Sequence, residues 1–196
     1  MSHTIIVKFG GSEHKFAGNN EFDVQADAEA FILKKARSLS RDLEEFGEYF
    51  KLFILPKGDI SQEVRCYEYL KGTGLTPRLL RTGSLFTFQM SHEPSGLSFE
   101  KECSYMALEE FGRALDEIYG VSVECMNSSK NLLVDPSLFD KIFPSGTFPE
   151  DIREKIRSLL EKLSDQKLVH LDVHSGNILS NGETLKLIDF EYVEFL

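Results

Sequence analysis

The sequence predicts an α+β chain in two lobes, and three observations carry that reading. Its first half alternates β-rich runs with helix-patterned segments, its strongest turn cluster, His92-Glu93-Pro94-Ser95-Gly96, falls near the middle, and its second half is helix-like until a pair of short strands near the end. The expected organisation is one domain over 1–196, with a small sheet-containing lobe over 1–90, a hinge over 91–97 and a helical lobe over 98–196.

Thr4 to Phe9 is rich in β-branched residues, and Gly10-Gly11-Ser12 gives the freedom of a tight turn before His14 to Phe16, which predicts a hairpin. From Val24 to Phe46 the residues Ala28, Phe31, Ile32, Leu39, Leu43 and Phe46 recur at helical spacing until Gly47. Tyr49 to Leu55 reads as a strand stopped by Pro56 and Gly58. Ser61 can cap a helix over Gln62 to Leu70, and Gly72 and Gly74 break it. Two short strands, Arg78 to Thr82 and Leu85 to Met90, lead to the turn cluster. A helix from about Phe99 to Tyr119, an irregular stretch from Asn127 to Pro149 and a helix from about Pro149 to Lys162 follow. Ile178–Leu179 and Leu185–Ile188 are expected as strands joined at Asn181-Gly182 by a type I′ turn.

Hydrophobic residues make up 41% and charged residues 28%, with 16 phenylalanines, a globular composition. The net charge of −10, from 22 basic and 32 acidic side chains, argues against a nucleic-acid or anionic-membrane surface. Cys66, Cys103 and Cys125 lack the spacing of a metal cluster and read as buried thiols of a reducing compartment. Without an apolar leader or spanning stretch, the expectation is a cytoplasmic protein. His3, His14 and His92 read as surface or turn residues without a partner.

The informative stretch is LVHLDVHSGNILSNGETLKLIDFEY, Leu168 to Tyr192, where Asp172, Asn177 and Asp189 stand out against apolar surroundings. Phosphoryl transfer needs an acceptor for the nucleophile's proton and oxygen ligands that hold Mg²⁺ on the phosphates. One Asp, one Asn and a second Asp can supply these. Asp172 and Asn177 sit five apart with Gly176 between them, so the chain can curl and aim both side chains into one cavity. Asp189 follows a hairpin of a length that returns the backbone to the same place.

These residues resemble the protein-kinase superfamily, whose catalytic loop reads H-x-D-x-x-x-x-N and is followed by a hairpin and a D-F-G or D-F-E element. His170, Asp172, Asn177, Asp189 and Phe190 match it, within a catalytic loop over 170–177 and a metal motif over 188–191. His174 and the run Ile188 to Glu191 look most like the aminoglycoside-phosphotransferase and choline-kinase branch; protein kinases usually place Lys where His174 stands. The resemblance implies a bilobal protein-kinase-like fold, ATP and Mg²⁺ as cofactors, Asp172 as catalytic base, Asn177 and Asp189 as metal ligands, and His170 as support for the loop. It also implies a strand Lys on the α and β phosphates paired with a helix Glu. Glu63 fits the latter, and for the former Lys51 is preferred to Lys57.

Two departures stand beside these matches. No G-x-G-x-x-G exists, and Gly10-Gly11-Ser12 lies well upstream of Lys51 with an expected helix between. The chain ends seven residues after Asp189, which implies a truncated C-terminal lobe. The function implied is an ATP- and Mg-dependent phosphotransferase acting on a hydroxyl, with a small molecule favoured over a protein. The alternative is a kinase-like binding module, a pseudokinase, that engages a partner protein. A partner chain or dimer mate could also complete the truncated lobe and its acceptor site.

Overall fold

Ile5 and Val7 point to the same side of the first strand, and what covers them organises the first part of the molecule. In the computed structural model, which describes residues 3–45, 47–93, 95–121 and 127–196, the chain forms two compact units. They are Met1–Val64 with Leu79–Leu108, and Arg65–Arg78 with Glu109–Leu196.

In the first unit, β1 (His3–Phe9) and β2 (Ser12–Gly18) form an antiparallel hairpin. Gly10 and Gly11 close it at φ 56° and 79°, where a side chain would be strained. Helix α1 (Glu21–Ser40) starts on Asn20, whose side chain accepts a hydrogen bond from the Phe22 N–H at 3.0 Å. Val24, Ala28, Ile32 and Ala36 recur every four residues along it and pack with Ile5, Val7, Phe88, Met90 and Cys103 into one core. The helix ends at Ser40 instead of running to 46, because the apolar spacing that suggested its last turns does not lie on the buried stripe: Leu39 is exposed. Phe46 lies outside the described residues.

Strand β3 (Glu48–Pro56) and helix α2 (Gln62–Tyr69) form as expected, with Ser61 Oγ accepting from the Glu63 N–H at 3.2 Å. The two strands expected over 78–90 are one, β4 (Leu79–Glu93), with its register shifted between Ser84 and Phe86. The hinge and the helix after it are corrected as well. Residues 91–97 close a hairpin, with His92 paired to Leu97, and the chain returns along β4 as β5 (Leu97–Glu109). Pro94 lies outside the described residues. Sheet order is β2-β1-β4-β5-β3, so β5 is an inner strand. Met106, Ala107 and Leu108 are consecutively buried there, which erases the alternation by which a strand is recognised.

In the second unit, β6 (Arg113–Ala114) leads into α3 (Leu115–Tyr119). The stretch expected to be irregular holds two short helices, α4 (Ser129–Val134) and α5 (Pro136–Ile142). Asp135 caps the latter, its Oδ1 accepting from the Ser137 and Leu138 N–H groups, with Pro136 in the first turn. Helix α6 (Glu150–Asp165) buries Ile152, Ile156, Leu159, Leu160 and Leu163 and packs on α4.

Strand β7 (Leu168–His170) pairs antiparallel with β10 (Val193–Phe195). Strands β8 (Ile178–Ser180) and β9 (Leu185–Leu187) form a hairpin beside β6. Its loop has four residues, not the two of a type I′ turn, because Ser180 pairs with Leu185 and Asn181 Oδ1 accepts from the Glu183 and Thr184 N–H groups. Among the described residues, no helix is long and apolar enough to cross a membrane.

Candidate active site

Strand β7 carries His170 to a fully buried position, where its backbone N–H donates to Ser129 Oγ at 3.1 Å. The imidazole Nδ1 accepts from the Asp172 N–H at 3.1 Å, so the ring proton belongs on Nε2, which donates to the Ile188 carbonyl at 3.0 Å. Burial holds the pKa of His170 below the ordinary histidine value, which keeps the ring neutral and this tautomer in place. Phe190 packs against the ring at 4.9 Å. One side chain thereby ties the residue at the head of the loop to the residue before Asp189.

Asn177 ends a 3-10 turn over Ser175–Asn177. Its Nδ2 donates to the Asp172 carbonyl at 2.9 Å, so both amide protons sit on the loop side and Oδ1 is the atom that can serve a cation. The Asp172 backbone is thus fixed at both ends by protein bonds. His174 Nδ1 accepts from the Gly176 N–H at 3.1 Å, which puts its proton on Nε2, 3.7 Å from Asp172 Oδ2. Gly176 has a different role from the one its flexibility suggests. A Cβ there would lie 3.0 Å from the His174 ring and 3.2 Å from Asp116 Oδ2, so its lack of a side chain makes room for both.

Asp189 follows β9 in a left-handed conformation, φ 66°, which a residue with a Cβ adopts at a cost of about 1 kcal/mol. The Ile188 N–H donates to the Asn177 carbonyl at 3.0 Å, so the strained residue is anchored beside the loop. Carboxylate oxygens of Asp189 and Glu191 lie within 4.8 Å of each other, and two carboxylates so close favour a bound cation. Glu191 falls in the metal motif expected over 188–191, where the sequence reading gave it no ligand role of its own.

Lys51 and Glu63 belong to the first unit. Lys51 Nζ lies 2.8 Å from Glu63 Oε2, with the carboxylate 1% and the ammonium 19% exposed. Lys57 instead pairs at 2.8 Å with Glu100, both half exposed. The structure therefore joins Lys51, not Lys57, to Glu63. Replacing Glu63 with Gln is expected to lower stability by about 2 kcal/mol, because a charge-assisted bond is lost around a largely buried ammonium. A double-mutant cycle with Lys51→Met, read by urea denaturation, checks it, and a coupling near zero would rule the pair out.

No family model matches the chain, and no curated protein matches it. Among solved structures it is similar to a structure of vaccinia related kinase 3, with 18% identity and a TM-score of 0.32 over 74% of this chain. The chain spans 40% of that structure's length.

Proposed function

We propose that the chain is a protein-kinase-like phosphotransferase that moves the γ-phosphoryl group of ATP to a hydroxyl, with Mg²⁺ as the metal. The observation that carries this reading is the His170 bridge, which ties the Asp172 N–H to the Ile188 carbonyl while Asn177 Nδ2 holds the Asp172 carbonyl. A loop pinned in this way presents a carboxylate and a carboxamide oxygen on fixed backbone, which is the preorganisation that phosphoryl transfer relies on.

The donor set suits a hard cation. Asn177 Oδ1 and the Asp189 carboxylate are oxygen ligands of the kind Mg²⁺ prefers, and the nearby Glu191 carboxylate adds to the demand for positive charge. Such an ion neutralises charge on the phosphates. Asp172 takes the acceptor's hydroxyl proton as its oxygen bonds to the γ-phosphorus and the bond from phosphorus to the β,γ-bridging oxygen breaks. His174 Nε2, 3.7 Å from Asp172 Oδ2, flanks that carboxylate on the loop side. Lys51, paired with Glu63, serves the α and β phosphates.

A small-molecule acceptor, as in the aminoglycoside-phosphotransferase and choline-kinase branch, is favoured by His174 standing where protein kinases carry Lys. A cytoplasmic setting suits the buried Cys66 and Cys103 thiols; burial pushes the pKa of Cys103 up to about 11. Cys125 lies outside the described residues.

Thermal melting tests nucleotide use. Mg-ATP is expected to raise the melting temperature by several degrees, since a ligand selective for the folded state stabilises it by mass action. Asp189→Ala should remove the part of the shift that depends on Mg²⁺. No shift at millimolar nucleotide would overturn the reading and leave a kinase-like binding module in its place.

A further inference from the structure

His3 and His92, read from the sequence as unpartnered surface residues, converge in the first unit on the carboxylate of Glu21. Register brings them together. His92 pairs with Ile5 across β1 and β4, so His3, two residues before Ile5, lies diagonally beside it on the face that α1 covers. Glu21 is the first residue of that helix. His3 Nδ1 is 3.9 Å from Glu21 Oε2, His92 Nε2 is 3.7 Å from Glu21 Oε1, and one donor atom from each of the three residues lies within 4.8 Å of the others.

Proton placement makes the cluster more than a surface ion pair. Ser95 Oγ donates its only proton to the His92 carbonyl at 2.9 Å, so in its 3.4 Å contact with His92 Nδ1 the imidazole must be the donor. With a proton on Nδ1, the other ring nitrogen, Nε2, is the one that faces the Glu21 carboxylate. Both His92 Nε2 and His3 Nδ1 are shut off from solvent and have no hydrogen-bond partner among the described residues. Two buried imidazole nitrogens without a hydrogen-bond partner, set beside a carboxylate, make a donor set that a cation satisfies.

We infer that His3, His92 and Glu21 form a site for a divalent transition ion of the zinc class, with solvent as its fourth ligand. Two imidazoles and one carboxylate are ligands zinc accepts, whereas Mg²⁺ and Ca²⁺ prefer oxygen alone. A tetrahedral ion with bonds of about 2.0–2.1 Å sets its donors about 3.3 Å apart, and with one donor from each residue already within 4.8 Å of the others, the three side chains close in on the ion by up to about 1.5 Å. The two rings stack nearly parallel, 10° apart with centroids at 5.8 Å, so their inward nitrogens lie on the same side of the cluster as Glu21. The half-exposed Glu21 side chain is free to follow. Ser95 supplies the outer hydrogen bond that holds a metal-binding histidine in one tautomer. The ion fastens the start of α1 to strands β1 and β4 and stabilises the first unit.

The test uses the full chain without an affinity tag, stripped by a chelator and titrated with Zn²⁺ alone. The expected result is uptake of one ion per chain with a rise in melting temperature of a few degrees, and intense visible absorption when Co²⁺ takes its place. His3→Gln with His92→Gln should abolish uptake, and Ser95→Ala should weaken it about tenfold. Asp189→Ala should leave it unchanged, which separates this site from the phosphotransferase proposal. Should the double variant fold poorly, His92→Gln alone gives the same discrimination through a loss of at least tenfold in affinity. No uptake by the parent chain, or uptake that the histidine variants leave intact, would overturn the inference; so would stabilisation by protons without any by Zn²⁺.

Discussion

Replacing Asp172 with Asn is expected to lower ATP turnover by about 10³-fold while binding of Mg-nucleotide stays within a few-fold of the parent. The loss follows from chemistry alone, since a carboxamide keeps the size of the side chain but cannot accept the hydroxyl proton. A 10³-fold effect is about 4 kcal/mol of transition-state stabilisation. The substitution is clean because loop geometry rests on the backbone of this residue: its N–H goes to His170 Nδ1 and its carbonyl receives Asn177 Nδ2. The melting temperature should therefore hardly move. Turnover that survives the change would remove Asp172 from the mechanism, and a parallel loss of nucleotide binding would assign it to binding instead.

The parts of this picture that were legible in the sequence are those in which spacing along the chain sets spacing in space. His170, Asp172 and Asn177 lie within one loop, and the hairpin back to Asp189 is short, so the turn and strand signals sufficed to bring them together. Lys51 and Glu63 came instead from the resemblance, which implies a strand Lys paired with a helix Glu; each sits on a well-marked element, and the two lie 2.8 Å apart. Strand β5 was misread because Phe99, Cys103 and Met106 are spaced like the face of a helix. Its strand state is decided by β4, which lies alongside it from Leu79 to His92. The cluster of His3, Glu21 and His92 depends on the register of β1 against β4, a long-range pairing that no local pattern records. Helices α4 and α5 were missed despite the Asp135-Pro136 signal, because each is too short for an apolar period to accumulate.

Gly112→Ala tests how tightly the frame behind the loop is built, and it is expected to destabilise the protein by about 4 kcal/mol. Gly112 has φ 56°, and a Cβ there would lie 2.0 Å from the Ser180 carbonyl oxygen, 2.4 Å from its carbon and 2.8 Å from the Asn181 nitrogen. All three are backbone atoms, so no rotamer change relieves the clash. Ser180 pairs with Arg113 on one side and Leu185 on the other, and it ends the strand that begins directly after Asn177. Either β6 separates from β8 or β8 shifts and carries Asn177 with it, so ATP turnover should fall together with stability. Gly182→Ala separates strain from clash. That residue also has a positive φ, 94°, but nothing lies within 4 Å of a Cβ placed there, so only the backbone term of about 1 kcal/mol applies. Urea denaturation of the two variants should therefore differ by about 3 kcal/mol. Equal losses would mean that β6 does not press on β8, and the loop over 170–177 would then have to be held by His170 and Asn177 alone.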